Sequence, residues 1–326
     1  MTRSMLRVLT LVGAACAATC SEAVPAQAFP SKPVKLIVPF PPGGTTDAMT
    51  RVIAPQLSEF LGQQVIVDNR PGAGGTLGTE IAAKSSADGH SIMLGTISTL
   101  AIAPNFYANL GYDPVKSFAP ISLIARLPFF ILVNASVPAN SLQDLIRLAR
   151  SKPGLLNFAS PGNGTLHQVA GETFNKMASV DLVHVPYKGD APAITDLISG
   201  RVQVMFDALG PHRPYIKSGK LKVLAAASPK RHPLLPDVPT AAEAGLPGYE
   251  VVAWFGFLAP TGTSPDIVSR LNAGVLRAMH KPEVREALSM QGIDPGGSSP
   301  EEFSTLIRDE VARWSRAVGA AGLRPN

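Results

Sequence analysis

The sequence predicts an α/β protein built in two halves, and three observations carry that expectation. Short apolar strands alternate with amphipathic helical stretches along the chain, the pattern of parallel sheets joined by helices. Two strand-to-helix junctions rich in proline and glycine, at residues 39–46 and 160–165, repeat one another's chemistry far apart in sequence. Two extended apolar stretches, Ile121 to Val133 and Val251 to Ala259, read as crossings into and back out of a second domain.

The 326-residue chain opens with Arg3, Arg7, an apolar run from Val8 to Ala18 and the small-x-small triplet Ala26-Gln27-Ala28. This pattern predicts a secretory signal peptide over residues 1–28 with cleavage after Ala28. The run is too short to span a bilayer. Both cysteines, Cys16 and Cys20, fall inside the removed segment, so the mature chain is expected to hold no disulfide. A lipoprotein signal at Cys16 is disfavoured, because Gly13-Ala14-Ala15 lacks the usual large apolar residue. Roughly 300 residues remain, enough for two domains of about 150 each. The net charge of +5 is dispersed and aromatics are 6% of residues. Neither the basic stripe nor the stacking rings of a nucleic-acid surface are present.

The first strand is Val34 to Val38, stopped by Pro39, Pro41 and Pro42. Gly43 and Gly44 allow a sharp bare turn, and Thr45, Thr46 or Asp47 is expected to cap a helix carrying Met49, Ile53, Leu57 and Leu61 on one face. A strand, a glycine turn and a helix N-terminus form an anion cradle, since unpaired amides and the helix dipole both favour negative charge. A tight connection with no ligand is an equally ordinary reading. Val65-Ile66-Val67 is a second strand, followed by Asn69-Arg70-Pro71-Gly72-Ala73-Gly74-Gly75 and a helix to Lys84. The glycine spacing fails a dinucleotide fingerprint, because Leu77 stands where the third glycine belongs. These glycines instead permit close approach of either a ligand or a neighbouring segment. Ser91 to Gly95 is a third strand ending in the hydroxyl-rich Thr96-Ile97-Ser98-Thr99, read as a loop in which Ser98 contacts a ligand or caps the next helix.

The second half begins with an amphipathic helix, Ser141 to Ser151, and a strand, Leu155 to Ala159. Ser160-Pro161-Gly162-Asn163-Gly164-Thr165 is the second cradle, leading into a helix with His167 in its first turn. Leu182 to Val185 and Val202 to Phe206 read as strands, the latter half-buried by its alternation, with a helix from Ala191 to Ser199 between them. Asp207 ends that strand, where open α/β sheets place ligands; a turn cap is the competing role. Leu221 to Ala227 is a strand and Pro229 to Gly248 is irregular. After the return crossing, helices are expected over Ser264 to Met279, Pro282 to Met290 and Pro300 to about Ala320. The implied division is 29–127 plus 252–326 for one lobe and 128–251 for the other.

Catalytic signatures are absent. The sequence has no Gly-x-Ser-x-Gly elbow, no Walker loop and no His-x-x-x-His spacing. No metal site, cofactor or catalytic residue is expected. A histidine such as His167 is more often a structural hydrogen-bonding residue than a ligand contact.

Five motifs, in order along the mature chain, resemble the Bug family of extracytoplasmic solute receptors of tripartite tricarboxylate transporters. They are residues 33–47, Asp68-Asn69-Arg70-Pro71-Gly72-Ala73-Gly74-Gly75, the 160–165 cradle, Val185-Pro186-Tyr187-Lys188-Gly189, and Asp237-Val238-Pro239-Thr240-Ala241-Ala242-Glu243-Ala244-Gly245. The resemblance implies a two-lobed periplasmic-binding-protein fold, type II-like, with two chain crossovers. It implies that Gly43, Gly44, Thr45 and Thr46 in one lobe and Ser160, Gly162, Asn163, Gly164 and Thr165 in the other hold a carboxylate. Phe40 and Ser98 would line the cleft, and Asp207 would stand near the ligand's far end beside an amine or a water; His167 is a candidate ligand contact by its own position beside the second cradle. The expected protein is a monomeric periplasmic receptor that takes a small carboxylate or amino-acid-like ligand and delivers it to membrane transporter subunits. The rivals are an exported enzyme on the same fold, with His167 and Asp207 as its acid/base pair, and a sensor for a membrane signalling partner.

Overall fold

In the computed structural model, the described residues are 29–321. The expected signal peptide and its two cysteines lie outside them. Two sheets form the frame. The first holds six strands: β1 (Val34–Val38), β2 (Val65–Asn69), β3 (Ser91–Thr96), β4 (Phe118–Pro128), β10 (Val252–Pro260) and the short β11 (Asp294–Pro295). Their spatial order is β11-β4-β10-β3-β1-β2. The second holds β5 (Phe130–Asn134), β6 (Asn157–Ser160), β7 (Val183–Pro186), β8 (Val204–Asp207) and β9 (Leu221–Ala226), in the order β7-β6-β8-β5-β9.

Both sheets contain the same topological event. β1 pairs in parallel with β2 on one side and with β3 on the other. β6 likewise lies between its parallel neighbours β7 and β8. In each lobe the chain leaves a central strand, builds outward and returns to the strand's other flank. This reversal opens a crevice at the carboxyl ends of the strands, where helices diverge. Helix α1 (Thr45–Leu61) follows β1, α2 (Thr76–Ala83) follows β2, α4 (Leu166–Ala178) follows β6 and α5 (Asp190–Ser199) follows β7. Helix α3 (Leu142–Ser151) precedes β6, and the short α6 (Arg213–Lys217) precedes β9. Helices α7 (Pro265–His280), α8 (Pro282–Ser289) and α9 (Pro300–Ala321) complete the first lobe.

The chain passes between sheets twice, and the two passages pair with each other. Phe129 separates β4 from β5. Its N–H donates to the Val251 carbonyl at 2.9 Å, and its carbonyl accepts from Ala227 N–H at 2.8 Å. Val251 N–H in turn donates to the Ala227 carbonyl at 2.9 Å. The connection is thus a narrow band of strand-like bonds that joins the two passages.

Several local expectations are corrected. Helix α1 is capped by Gly44 in extended conformation with no side-chain bond. Asp47, inside the first turn, instead accepts from Gly43 N–H at 3.0 Å and from Arg51. β8 is buried along its whole length, because it runs between β6 and β5 with a core on each face. Val204 and Phe206 enter the larger core, while Met205 packs with Ala193 and Leu197 of α5 in the smaller. The Thr96–Thr99 stretch is not an open loop: Ser98–Ile102 forms one π-helical turn, and it is buried because Leu100, Ala101 and Ile102 are apolar. The short α6 was not expected; Pro214 in its first turn masks its helical pattern. No helix among the described residues is long and apolar enough to cross a membrane.

Candidate functional site

The two cradles lie on opposite walls of one cleft. On the first wall, β1 ends at Val38, the prolines turn the chain, and Gly44 releases α1 with its leading amides unpaired within the helix. Asn69 Nδ2 donates to the Phe40 carbonyl at 3.0 Å, which fixes the loop holding the aromatic ring. On the opposing wall, Thr165 caps α4; its hydroxyl donates to the Gly162 carbonyl at 2.8 Å. Gly164 N–H is taken by Gln168 Oε1 at 2.8 Å.

The lobes are closed on each other. Ser98 Oγ, from the first lobe, accepts the Leu166 N–H at the start of α4 at 2.9 Å. The hydroxyl therefore satisfies a helix amide of the opposite lobe, a role neither of its expected fates describes. Tyr107 Oη donates to the Asn163 carbonyl at 3.0 Å, and Arg213 donates to the Met290 carbonyl. Gly74 passes so close that a Cβ there would lie 2.4 Å from the Asn163 carbonyl oxygen. The glycine run at 72–75 thus serves a neighbouring segment across the cleft.

Between the walls is a small cavity. Phe40, Thr45, Thr46 and Ser98 line one side, and His167 and Asp207 the other. The floor is the crossing region, with Leu127, Phe129, Ala253 and Phe255. Gly162 and Asn163 are displaced outward: with Tyr107, Lys188 and the Gly72-Ala73-Gly74-Gly75 run they line an adjoining groove at the cleft rim. Gly164 packs beside Tyr107 and Phe106. Gly43 and Gly44 shape the α1 turn without lining the cavity, and Thr165 is fully buried under the α4 turn. Ser160 lies behind the cavity wall. It is fully buried, and its hydroxyl is held by the Gly162 carbonyl at 3.0 Å and by His184 Nε2 at 2.6 Å.

The chemistry concentrates on three titratable residues. Asp207 Oδ1 bonds His167 Nε2 at 2.9 Å and Asp207 Oδ2 bonds His212 Nε2 at 2.8 Å, while Ala208 N–H adds a third contact at 2.6 Å. Burial alone would raise the Asp207 carboxyl, but the charge and hydrogen bonds of the two imidazoles outweigh it and hold it far below the usual carboxylate range. Burial pulls His167 down, and the Asp207 carboxylate more than reverses this, leaving the imidazole raised. The third residue, Asp190 at the start of α5, is absent from the sequence expectations. Burial and the nearby Asp207 charge push its carboxyl up to about 6. It reaches across to α1, so that a Cβ on Gly44 would lie 2.5 Å from its Oδ2. Its Oδ1 has no hydrogen-bond partner, and neither have Thr46 Oγ1 and His167 Nδ1. A strand, Gly189 and Asp190 before a helix was visible in sequence, but an acid at a helix N-terminus ordinarily reads as a cap.

His167, Asp190 and Asp207 can bring one ligand atom each within 4.8 Å of one another, a juxtaposition the histidine spacing did not suggest. Each Asp207 oxygen already accepts an imidazole bond, so a cation there would compete with both histidines. The pair also lacks the geometry of a hydrolytic triad, because His167 Nδ1 meets no hydroxyl. A serine–histidine contact does occur, between Ser160 and His184, but the serine is fully buried, and burial drives that imidazole down to about 4.

A two-lobed α/β frame closing on a cavity at paired switch points suits the capture of a small solute. The family model "Tripartite tricarboxylate transporter family receptor" matches residues 49–323. The chain belongs to this family. A UPF0065 protein from the tcbD-tcbE intergenic region of Pseudomonas sp. (strain P51) is 41% identical, covering 98% of this chain and 95% of its own. Among solved structures, periplasmic binding protein BugD superposes with a TM-score of 0.87 at 34% identity, over 91% of this chain and all of its own. R. palustris Rpa4515 with adipate gives 0.88 at 39% identity, over 91% and 100%. The receptor is therefore a solute-binding protein of the Bug and tripartite tricarboxylate transporter type, with the fold of periplasmic binding proteins.

Proposed function

We propose that this receptor captures a small carboxylate between its lobes in the periplasm and presents the closed form to the membrane subunits of a tripartite transporter. The observation that carries the reading is the opposition of two helix N-termini, α1 and α4, across one small cavity. Helix amides and the dipole favour an anion there without Lys or Arg on the wall. The adipate-bound relative adds support for a carboxylate as the solute class. The lobes are assigned as 29–127 with 252–326 and 128–251, since the chain changes sheets at Phe129 and before Val252. The ligand contacts are assigned to Thr45, Thr46, Phe40 and His167, with Asp190 added. Export through removal of residues 1–28 and a monomeric state belong to the same reading.

Because the lobes bond each other across the cleft, they must part to admit a solute and close again. Closure then depends on the ligand's greater affinity for the closed state. A thermal-shift screen of small mono- and dicarboxylates, followed by calorimetry and small-angle scattering, tests this. A hit that tightens the scattering envelope and keeps its chemical identity supports a receptor. Turnover of the bound compound would instead favour an exported enzyme using His167 and Asp207.

A further inference from the structure

We propose that Asp190 makes the cavity selective for amino carboxylates, solutes that carry an ammonium group beside the carboxylate, over plain carboxylic acids. The inference rests on the carboxylate reading above and assigns the solute's second group. Charge decides it. The cavity wall has no Lys or Arg; its titratable groups are His167, Asp190 and Asp207. Asp207 is matched by two imidazoles, one on each oxygen. Asp190 has no such match: its Oδ1 is shielded from solvent and has no partner.

Asp190 also lies against the α1 turn, on the wall where a carboxylate would meet the helix amides. A plain carboxylate bound there would place a second negative charge close to Asp190. Because its carboxyl is raised to about 6, Asp190 can escape that repulsion by taking up a proton, which caps the loss for a plain acid at about tenfold near pH 7. An ammonium on the same solute reverses the sign. It supplies N–H donors to the unpartnered Oδ1, while the solute's carboxylate keeps the amides and the free Thr46 hydroxyl. The raised carboxyl of Asp190 fits this account: burial and the Asp207 charge outweigh the attraction of His167 and His212, and no donor reaches its Oδ1.

Calorimetry in EDTA on matched pairs tests the proposal: β-alanine and propionate, 4-aminobutyrate and butyrate, L-aspartate and succinate, L-glutamate and glutarate. In at least one pair the amino member is expected to bind tenfold or more tightly than its counterpart. Asp190→Asn should weaken that member about 10- to 100-fold and leave the plain acid unchanged or tighter, with the folded circular-dichroism spectrum retained. Plain acids binding as tightly as their amino partners, or an amino preference that survives Asp190→Asn, would overturn the selectivity while leaving the carboxylate reading intact. If neither member of any pair binds folded wild-type protein, the carboxylate reading fails and takes this inference with it.

Discussion

Asp190 and Asp207 are both cleft aspartates, yet their surroundings drive them in opposite directions. Asp207 accepts from two imidazoles and a backbone amide, so its charged form is favoured despite burial. Asp190 meets the Asp207 charge with an unpartnered oxygen, so its neutral form is favoured. This has a consequence for stability. The folded-state value near 6 lies above the ordinary 3.8, so Asp190 imposes no penalty below pH 4. The penalty grows as pH rises through about 6 and is complete above it. Asp190→Asn should therefore stabilise the unliganded protein by about 1–2 kcal/mol at pH 8, allowing for partial solvent access. At pH 4 the two proteins should unfold at the same urea concentration. Equal gains at both pH values would show that the side chain's shape, not its charge, is responsible.

The elements that build the site are held by close backbone approaches at the strand ends. Helix α2 crosses the exits of β1 and β2 at Gly78, where a Cβ would lie 2.4 Å from the Arg70 carbonyl oxygen and 2.8 Å from Pro39 Cα. Both neighbours are backbone, so neither can rotate away. Gly78→Ala should cost about 1–3 kcal/mol by overpacking, despite alanine's better helix propensity, and urea unfolding would measure it. An unchanged midpoint would mean that α2 slides freely over the first cradle. The α3 cap behaves more simply: Ser141 Oγ accepts from Asp144 N–H, as its sequence position suggests.

For the whole molecule, the question is what limits closure. Contacts across the cleft converge on Gly74, whose missing side chain lets the Asn163 carbonyl approach, and on Tyr107, which bonds that same oxygen at 3.0 Å. Gly74→Ala adds a methyl against an opposing backbone and places alanine at a φ of 64°. The expected result is a solute affinity lowered tenfold or more and a larger radius of gyration in saturating ligand, by small-angle scattering. Tyr107→Phe, which removes one bond but no space, should weaken binding only about two- to tenfold. Wild-type compaction in Gly74→Ala would show that the lobes close through a different contact.

The sequence by itself determined the alternation of strands and helices, the two cradles and the points where the chain changes sheets, because periodicity, proline stops and caps are local. Val34–Val38 and Leu142–Ser151 fall within a residue or so of their expected positions for that reason. Its motifs also carried the family likeness. Only the tertiary structure decided which polar groups are spent internally. Ser160 is consumed by His184, and Ser98 by an amide 68 residues further along the chain. It also brought His212 behind Asp207 and turned Asp190 from an ordinary helix-start acid into a cleft residue. Such assignments depend on which atoms meet across the fold, and a hydrogen bond between distant segments leaves no periodic trace in sequence.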